Sequence, residues 1–95
     1  MSNTLKNVRL KKRTWVNLYT AISEAKGSQV AVGTALGLSL LKYGKIRVNV
    51  GPTEPTANSG YDLVTDFGYA ENETGDSGFW AYSETNDALV NLKEI

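Results

Sequence analysis

The chain alternates apolar and polar residues most regularly over Lys45–Val50. Successive side chains of an extended backbone point to opposite faces, so Ile46, Val48 and Val50 share one face and the polar residues between them share the other. The Gly-Pro pair at 51–52 ends the segment, because proline cannot donate a hydrogen bond to a neighbouring strand. The pattern predicts a strand that is buried on one side.

Other segments carry the same signal less regularly. Ala88, Val90 and Leu92 share one side of a last strand. Residues 35–41 are apolar enough for a buried strand or a helix, and we favour the strand because Gly33 and Gly37 interrupt the run. The strand candidates are residues 14–19, 29–32, 35–41, 45–50, 61–64, 79–83 and 88–95, with weaker alternation over 8–11 and 66–76.

This arrangement predicts an all-β fold. About seven or eight short strands at roughly 8–12-residue spacing are typical of a compact antiparallel β-sandwich or barrel. One segment, 20–28, favours a helical turn that Gly27 and Ser28 end, and no helix of ordinary length is required. A chain of 95 residues makes one domain, which we assign to residues 14–95.

Charge divides the chain into a basic N-terminal segment and an acidic remainder. Residues 1–13 contain five basic residues and no acidic one, whereas the remainder contains five basic and ten acidic residues. We therefore predict that residues 1–13 form an extended basic N-terminal arm that reaches an acidic surface, on another copy of the chain or on a different protein. The basic residues that we place at this interface are Lys6, Arg9, Lys11, Lys12 and Arg13.

Nucleic acid is an alternative partner for this arm. Lysine and arginine neutralise phosphates, but surfaces that bind single strands also offer aromatic rings for stacking, and only Trp15 lies near the arm. The acidic remainder would also repel phosphate. We therefore favour a protein partner over nucleic acid.

The composition removes several classes of chemistry. The chain has no cysteine and no histidine, so it cannot form a disulfide, a thiolate metal site or a Ser-His-Asp triad from its own residues. A set of acidic residues offers oxygen ligands for calcium but lacks the spacing of a calcium-binding loop. These residues are Asp62, Asp66, Glu71, Glu73 and Asp76. We predict no catalytic residue, metal site or cofactor, and hence no enzyme, with calcium as the minor alternative.

The longest apolar run, residues 30–41, is about 12 residues long. A membrane-spanning helix needs about 20 such residues, so we expect no association with a membrane.

Aromatic residues concentrate in Phe79–Ser83. On a strand Trp80 and Tyr82 share one face, whereas Phe79 and Ala81 share the other, so both faces are apolar. A strand of this kind is central in a sandwich or is covered by a partner. We interpret Trp80 and Tyr82 as core or subunit joint, and Phe79 as the ring that needs a second subunit to cover it. The aromatic residues of the predicted interface are Trp15, Phe79, Trp80 and Tyr82.

Several short motifs occur in an order that resembles small structural proteins of tailed bacteriophages. A W-x-N-L motif begins at Trp15, a G-T-x-L motif begins at Gly33, a loop contains Pro52 and Pro55, and a G-x-W-A motif begins at Gly78. The series spans about residues 14–92. The order of the motifs, more than any single one of them, carries the resemblance.

The resemblance implies an oligomeric all-β protein of the virion, assembled in the bacterial cytoplasm, that is not an enzyme. It implies a capsid decoration or cement protein that clamps onto the particle, with a trimer as the expected state. A tail or neck component is the related alternative. A second class is a carbohydrate-binding β module for host attachment, which would use exposed rings at Trp80, Tyr82 or Tyr61.

Overall fold

The computed structural model describes residues 3–42, 44–55, 62–84 and 86–95, which form eight strands and one helix. In chain order the elements are β1 (Asn3–Leu10), β2 (Trp15–Asn17), α1 (Leu18–Lys26), β3 (Leu36–Leu40), β4 (Lys45–Val50), β5 (Asp62–Thr65), β6 (Tyr69–Glu71), β7 (Phe79–Ser83) and β8 (Ala88–Glu94).

Two antiparallel sheets of four strands each make up the fold. The first sheet has the strand order β1-β8-β3-β6, and the second has the order β2-β7-β4-β5. Together they form a body of 30 × 25 × 21 Å. The predicted antiparallel β fold is confirmed as a sandwich with one short helix, and the sheets do not close into a barrel.

The core lies between the sheets and beneath the helix. Leu38 on β3 and Val90 and Leu92 on β8 are completely buried, and each such side chain stabilises the fold by about 1.5–3 kcal/mol. Ile46 and Val48 on β4 are buried as the alternation predicted, whereas Val50 is 45% exposed at the end of its strand. Further core residues are Val8, Leu10, Leu18, Tyr19, Ile22, Leu36, Leu40, Val64, Phe79 and Ala81.

The helix begins earlier than the sequence pattern indicated. Residues 14–19 were expected to be one strand, but β2 ends at Asn17, whose side chain accepts hydrogen bonds from the backbone N–H of Tyr19 and Thr20 at 3.0 and 3.4 Å. This is the bonding of a helix N-cap, and it turns the chain from strand to helix. Gly27 ends the helix with φ = 80°, a left-handed conformation that glycine adopts without strain.

Residues 29–32 do not form the predicted buried strand. Val30 is buried, but Val32 is 58% exposed because the chain turns there. Gly33 has φ = 100°, and its carbonyl accepts a hydrogen bond from the N–H of Gly75 at 2.8 Å. The segment is a turn that leads into β3.

The N-terminal segment is a strand of the first sheet, which differs from the predicted extended arm. β1 pairs antiparallel with β8 from Asn3, opposite Glu94, to Leu10, opposite Ala88. Val8 and Leu10 are 6% and 0% exposed. Burial of these two side chains holds the basic segment against the sandwich, so that only residues 11–14 remain as a connector to β2.

A buried cluster of hydrogen bonds joins the helix to the first sheet. The side-chain oxygen of Asn72 accepts from the backbone N–H of Leu36 at 2.7 Å, and its amide nitrogen donates to the hydroxyl of Tyr19 at 2.8 Å. That hydroxyl donates in turn to the carbonyl of Thr34 at 2.7 Å. Asn72 is only 5% exposed, so each of these groups depends on the cluster to replace water.

Replacing Asn72 with alanine is expected to lower the free energy of unfolding by about 2–4 kcal/mol, because buried partners at Leu36 and Tyr19 lose their hydrogen bonds. Urea denaturation followed by circular dichroism measures this loss. Asn91→Ala is the control: its amide donates to the side chain of Asn7 at 3.0 Å in an exposed place, and we expect a loss below about 0.5 kcal/mol. Equal losses in the two variants would contradict the role given to Asn72.

A chain that begins at Thr14 is expected not to fold cooperatively. The deletion removes β1 with buried Val8 and Leu10, and truncating one buried leucine already costs about 2–5 kcal/mol of the roughly 5–15 that stabilise a domain. Thermal melting followed by circular dichroism measures the effect. A cooperative transition at the temperature of the full chain would support a separable arm instead.

Candidate interaction face

The outward side of the second sheet carries aromatic and polar side chains next to one another. Trp15 on β2 lies opposite Tyr82 on β7, Tyr82 lies opposite Arg47 on β4, and Arg47 lies opposite Leu63 on β5. Directly opposite residues share a face of the sheet, so these four form one row across all four strands.

A second row lies beside the first. Trp80 is opposite Asn17 on one side and opposite Asn49 on the other. These two rows and Glu84, which follows β7, are termed the aromatic face. Its members are Trp15, Asn17, Arg47, Asn49, Leu63, Trp80, Tyr82 and Glu84.

The rings of Trp15 and Tyr82 contact each other on this face. Their centroids are 5.1 Å apart and their planes meet at 41°. This tilted geometry lies in the range that aromatic pairs prefer, and such a pair contributes about 0.5–1.5 kcal/mol beyond its buried area. The contact therefore orients the two rings relative to each other while both side chains remain half-buried.

Trp80 is held by a hydrogen bond to the loop after β4. Its indole N–H donates to the carbonyl of Gly51 at 2.9 Å. Gly78 makes this approach possible, because a Cβ at that position would collide with the same carbonyl. The G-x-W-A motif thus has a local structural reason: the glycine lets the loop come close, and the loop then orients the tryptophan.

A charged pair closes one end of the face. The Arg47 guanidinium donates through Nε to Oε1 of Glu84 at 2.7 Å, and the two side chains are 27% and 28% exposed. Charge-assisted bonds of this length are strong among hydrogen bonds, although partial exposure to water limits the gain to about 1 kcal/mol. The pair fixes the long arginine side chain beside Tyr82.

Phe79 does not belong to this face, and the prediction that a second subunit covers it is wrong. The ring is 1% exposed in the single chain and lies in the core with Ala81. The alternation of β7 places Phe79 and Ala81 towards the other sheet and Trp80 and Tyr82 outwards, where both are half-buried. Trp80 and Tyr82 therefore do not lie in the core.

The structure divides the predicted basic residues between two places. Lys11, Lys12 and Arg13 are exposed in the connector between β1 and β2, which is tied to the turn after β7. The Lys12 N–H donates to a carboxylate oxygen of Asp87 at 3.0 Å, and the Arg13 N–H donates to the carbonyl of Ser83 at 2.7 Å. These three residues thus border the Trp15–Tyr82 row.

Lys6 and Arg9 lie elsewhere, on β1 in the first sheet. The structure therefore brings together Trp15, Trp80 and Tyr82 with the connector, and leaves these two residues apart from them. Arg47, Asn49 and Leu63 belong to the face but were absent from the predicted interface. Their outward direction follows from alternation in β4 and β5, yet their proximity to Trp80 depends on a strand order that no local pattern reveals.

Two of the acidic residues considered for calcium, Asp66 and Asp76, accept hydrogen bonds in turns. A carboxylate oxygen of Asp66 accepts from the N–H of Gly44 at 2.9 Å, and one of Asp76 accepts from the N–H of Glu73 at 2.7 Å. Within the described ranges, no three acidic side chains come together in a group that would hold a metal ion.

Comparison with known proteins found no matching family model, no similar curated protein and no similar solved structure. The helix of the described chain is neither long nor apolar enough to cross a membrane.

Proposed function

We propose that the chain is a non-enzymatic structural protein of a phage virion, most specifically a capsid decoration or cement protein that self-associates and docks onto the particle through the aromatic face. The observation that carries this proposal is the placement of three half-buried aromatic side chains, Trp15, Trp80 and Tyr82, together on the outward side of the second sheet. Tryptophan, tyrosine and arginine are the residues most enriched where protein interfaces gain their affinity.

The face is organised before any partner arrives. The Trp15–Tyr82 contact, the bond from Trp80 to Gly51 and the Arg47–Glu84 pair each hold a large side chain in place. Ordering a free side chain on binding costs about 0.5–1.5 kcal/mol, so side chains that are already fixed lose less on association. This favours a surface that contacts a partner over a surface that only meets water.

Charge at the border of the face favours an acidic partner surface. Lys11, Lys12 and Arg13 are exposed beside the Trp15–Tyr82 row, and backbone N–H groups of their connector donate to the carbonyl of Ser83 and to the carboxylate of Asp87. Charges at the rim of an interface steer association and weaken it when salt is added, without supplying most of the affinity.

The virion setting rests on the resemblance, and two of the motifs that carry it meet on the aromatic face. The W-x-N-L motif lies on β2 and the G-x-W-A motif lies on β7, and Asn17 of the first is directly opposite Trp80 of the second. Two motifs that are about 60 residues apart in the sequence therefore build one surface. A tail or neck component would use the same face in the same way.

Carbohydrate binding is the second candidate, because Asn49 lies opposite Trp80. A sugar ring stacks on an aromatic face, and a neighbouring amide supplies the hydrogen bonds that orient it. Titration with host-surface glycans, followed by tryptophan fluorescence, separates the two candidates: saturable shifts would favour the carbohydrate-binding module, and an unchanged spectrum favours the structural protein. Tyr61, which was also considered for this role, lies outside the described residues.

Particles of the phage that encodes the chain are expected to contain it in many copies, and particles produced without it are expected to take up the added protein. Trp80→Ala and Tyr82→Ala should each weaken uptake at least about 30-fold, because a central aromatic contact contributes about 2 kcal/mol or more. Equilibrium binding to purified particles measures this, after circular dichroism has shown that each variant is folded.

Val32→Ala is the matched control, since it truncates an apolar side chain that is 58% exposed but lies outside the aromatic face. It should bind like the unaltered chain. Particles that lack the chain would contradict the virion assignment, and uptake that both aromatic variants leave unchanged would contradict the assignment of the face.

A further inference from the structure

The two edges of the first sheet carry opposite charge. β1 includes two basic residues, Lys6 and Arg9, and no acidic one, whereas residues 66–76, which contain β6, include four acidic residues and no basic one. The strand order β1-β8-β3-β6 places these segments at opposite edges of the same sheet. The β1 edge of one molecule is therefore complementary in charge to the β6 edge of a second molecule.

The backbone of β6 offers hydrogen-bonding groups at its outer edge. The N–H of Leu40 donates to Gly68, and the N–H of Asn72 donates to Leu36, at 2.9 and 3.1 Å. Bonded residues alternate along an antiparallel pair, so even-numbered residues of this stretch point their backbone groups to β3. The N–H and C=O groups of Tyr69 and Glu71 consequently point away from the sheet.

The same reasoning applies to β1. The N–H of Leu41 donates to Leu89, so the odd-numbered residues of β8 bond to β3 and the even-numbered residues bond to β1. Val8 lies opposite Val90, which is even-numbered, so the backbone groups of Val8 point to β8. The backbone groups of Asn7 and Arg9 therefore point to the outer edge, and both residues are exposed.

The two edges are compatible in strand direction and in the side of the sheet to which their side chains point. The strands of this sheet alternate in direction, and their number is even, so β1 of a second copy placed beside β6 in the same orientation is antiparallel to it. Asn7, Arg9, Tyr69 and Glu71 all lie on the outward side of the sheet, because Val8, Leu10 and Leu38 point into the core. Pairing these residues would continue the sheet with its apolar face still inside.

We propose that copies of the chain join head to tail by pairing β1 of one copy with β6 of the next, with Asn7 opposite Glu71 and Arg9 opposite Tyr69. The arrangement deepens the proposed function, which requires self-association, and rests on it to that extent. Arg9 then lies diagonal to Glu71, within reach of a long side chain. A contact between different edges is heterologous and builds a ring if the rotation closes or a filament if it does not.

The side chains at the acidic edge leave its backbone clear. The Tyr69 ring lies over Gly37, where any Cβ would collide with it, and the ammonium of Lys93 is 4.9 Å from the ring centroid. The Tyr69 hydroxyl donates to a carboxylate oxygen of Glu71 at 2.9 Å. The pKa of Tyr69 is raised above its ordinary value of 10.0, mainly by burial and further by this hydrogen bond and the charge of Glu71. The phenol therefore remains a donor at neutral pH.

Charge reversal on each edge tests the pairing. Arg9→Glu makes both edges acidic and Glu71→Arg makes both basic, so each variant alone should associate at least about 10-fold more weakly in sedimentation velocity or native mass spectrometry. A 1:1 mixture of the two variants, and the double variant Arg9→Glu/Glu71→Arg, should regain association because opposite charges face each other again. The oligomer of the unaltered chain should dissociate as salt is raised.

Lys26→Glu and Glu24→Lys are the controls, because they change the net charge by the same amounts at exposed positions on α1. They should associate like the unaltered chain. A chain that is monomeric at every concentration, single edge variants that associate normally, or a mixture that fails to recover would each overturn the pairing.

The outcomes also separate this inference from the proposed function. If the unaltered chain is monomeric but its uptake by particles still depends on Trp80, the head-to-tail pairing is wrong and the docking face stands. If an oligomer survives Arg9→Glu but is lost in Trp80→Ala, the contact between copies lies on the aromatic face and the edge pairing is wrong. If the edge variants behave as expected and virions lack the chain, only the virion assignment fails.

Discussion

The pleat of β7 is the constraint on which the rest of the second sheet depends. Phe79, Ala81 and Ser83 point into the sandwich and are buried, so Trp80 and Tyr82 must point outwards. β7 lies between β2 and β4, and directly opposite residues share a face of the sheet. Because Trp15 and Arg47 are both opposite Tyr82, they also point outwards. A slip of one residue would bury both outer rings and expose Phe79.

Strict alternation made parts of this fold predictable from the sequence. β4 and β8 lie where the pattern placed them, because each has apolar residues at every second position, and β7 lies where its aromatic residues, which favour strands, indicated. The start of the helix was predicted too far along the chain, because Trp15, Val16 and Tyr19 favour strands. In the structure the side chain of Asn17 caps a helix that begins at Leu18. Local propensity and capping gave opposite indications, and the cap prevailed.

Questions of long-range pairing could not be answered in this way. Alternation showed that Phe79 and Trp80 lie on opposite faces of β7, but both faces are apolar, so the sequence contains no signal for which one meets the other sheet. Likewise, the alternation of Val8 and Leu10 indicated a strand but not its pairing with β8, about 80 residues further along the chain. The basic segment was therefore placed outside the fold, although β1 completes the first sheet.

The two contacts that we propose lie on different parts of the molecule. The aromatic face lies on the second sheet, and the oppositely charged edges belong to the first, so docking onto a particle and joining of copies would use different surfaces. The buried cluster of Asn72, Tyr19 and Leu36 fastens the helix to the first sheet and keeps the ends of β3 and β6 in place.

Radical footprinting with mass spectrometry tests docking most directly, because it measures the oxidation of each aromatic ring in the free and the particle-bound chain. We expect Trp15, Trp80 and Tyr82 to be protected on the particle while Phe67, which is 57% exposed outside the face, remains reactive; equal oxidation of the three rings in both states would contradict the assignment.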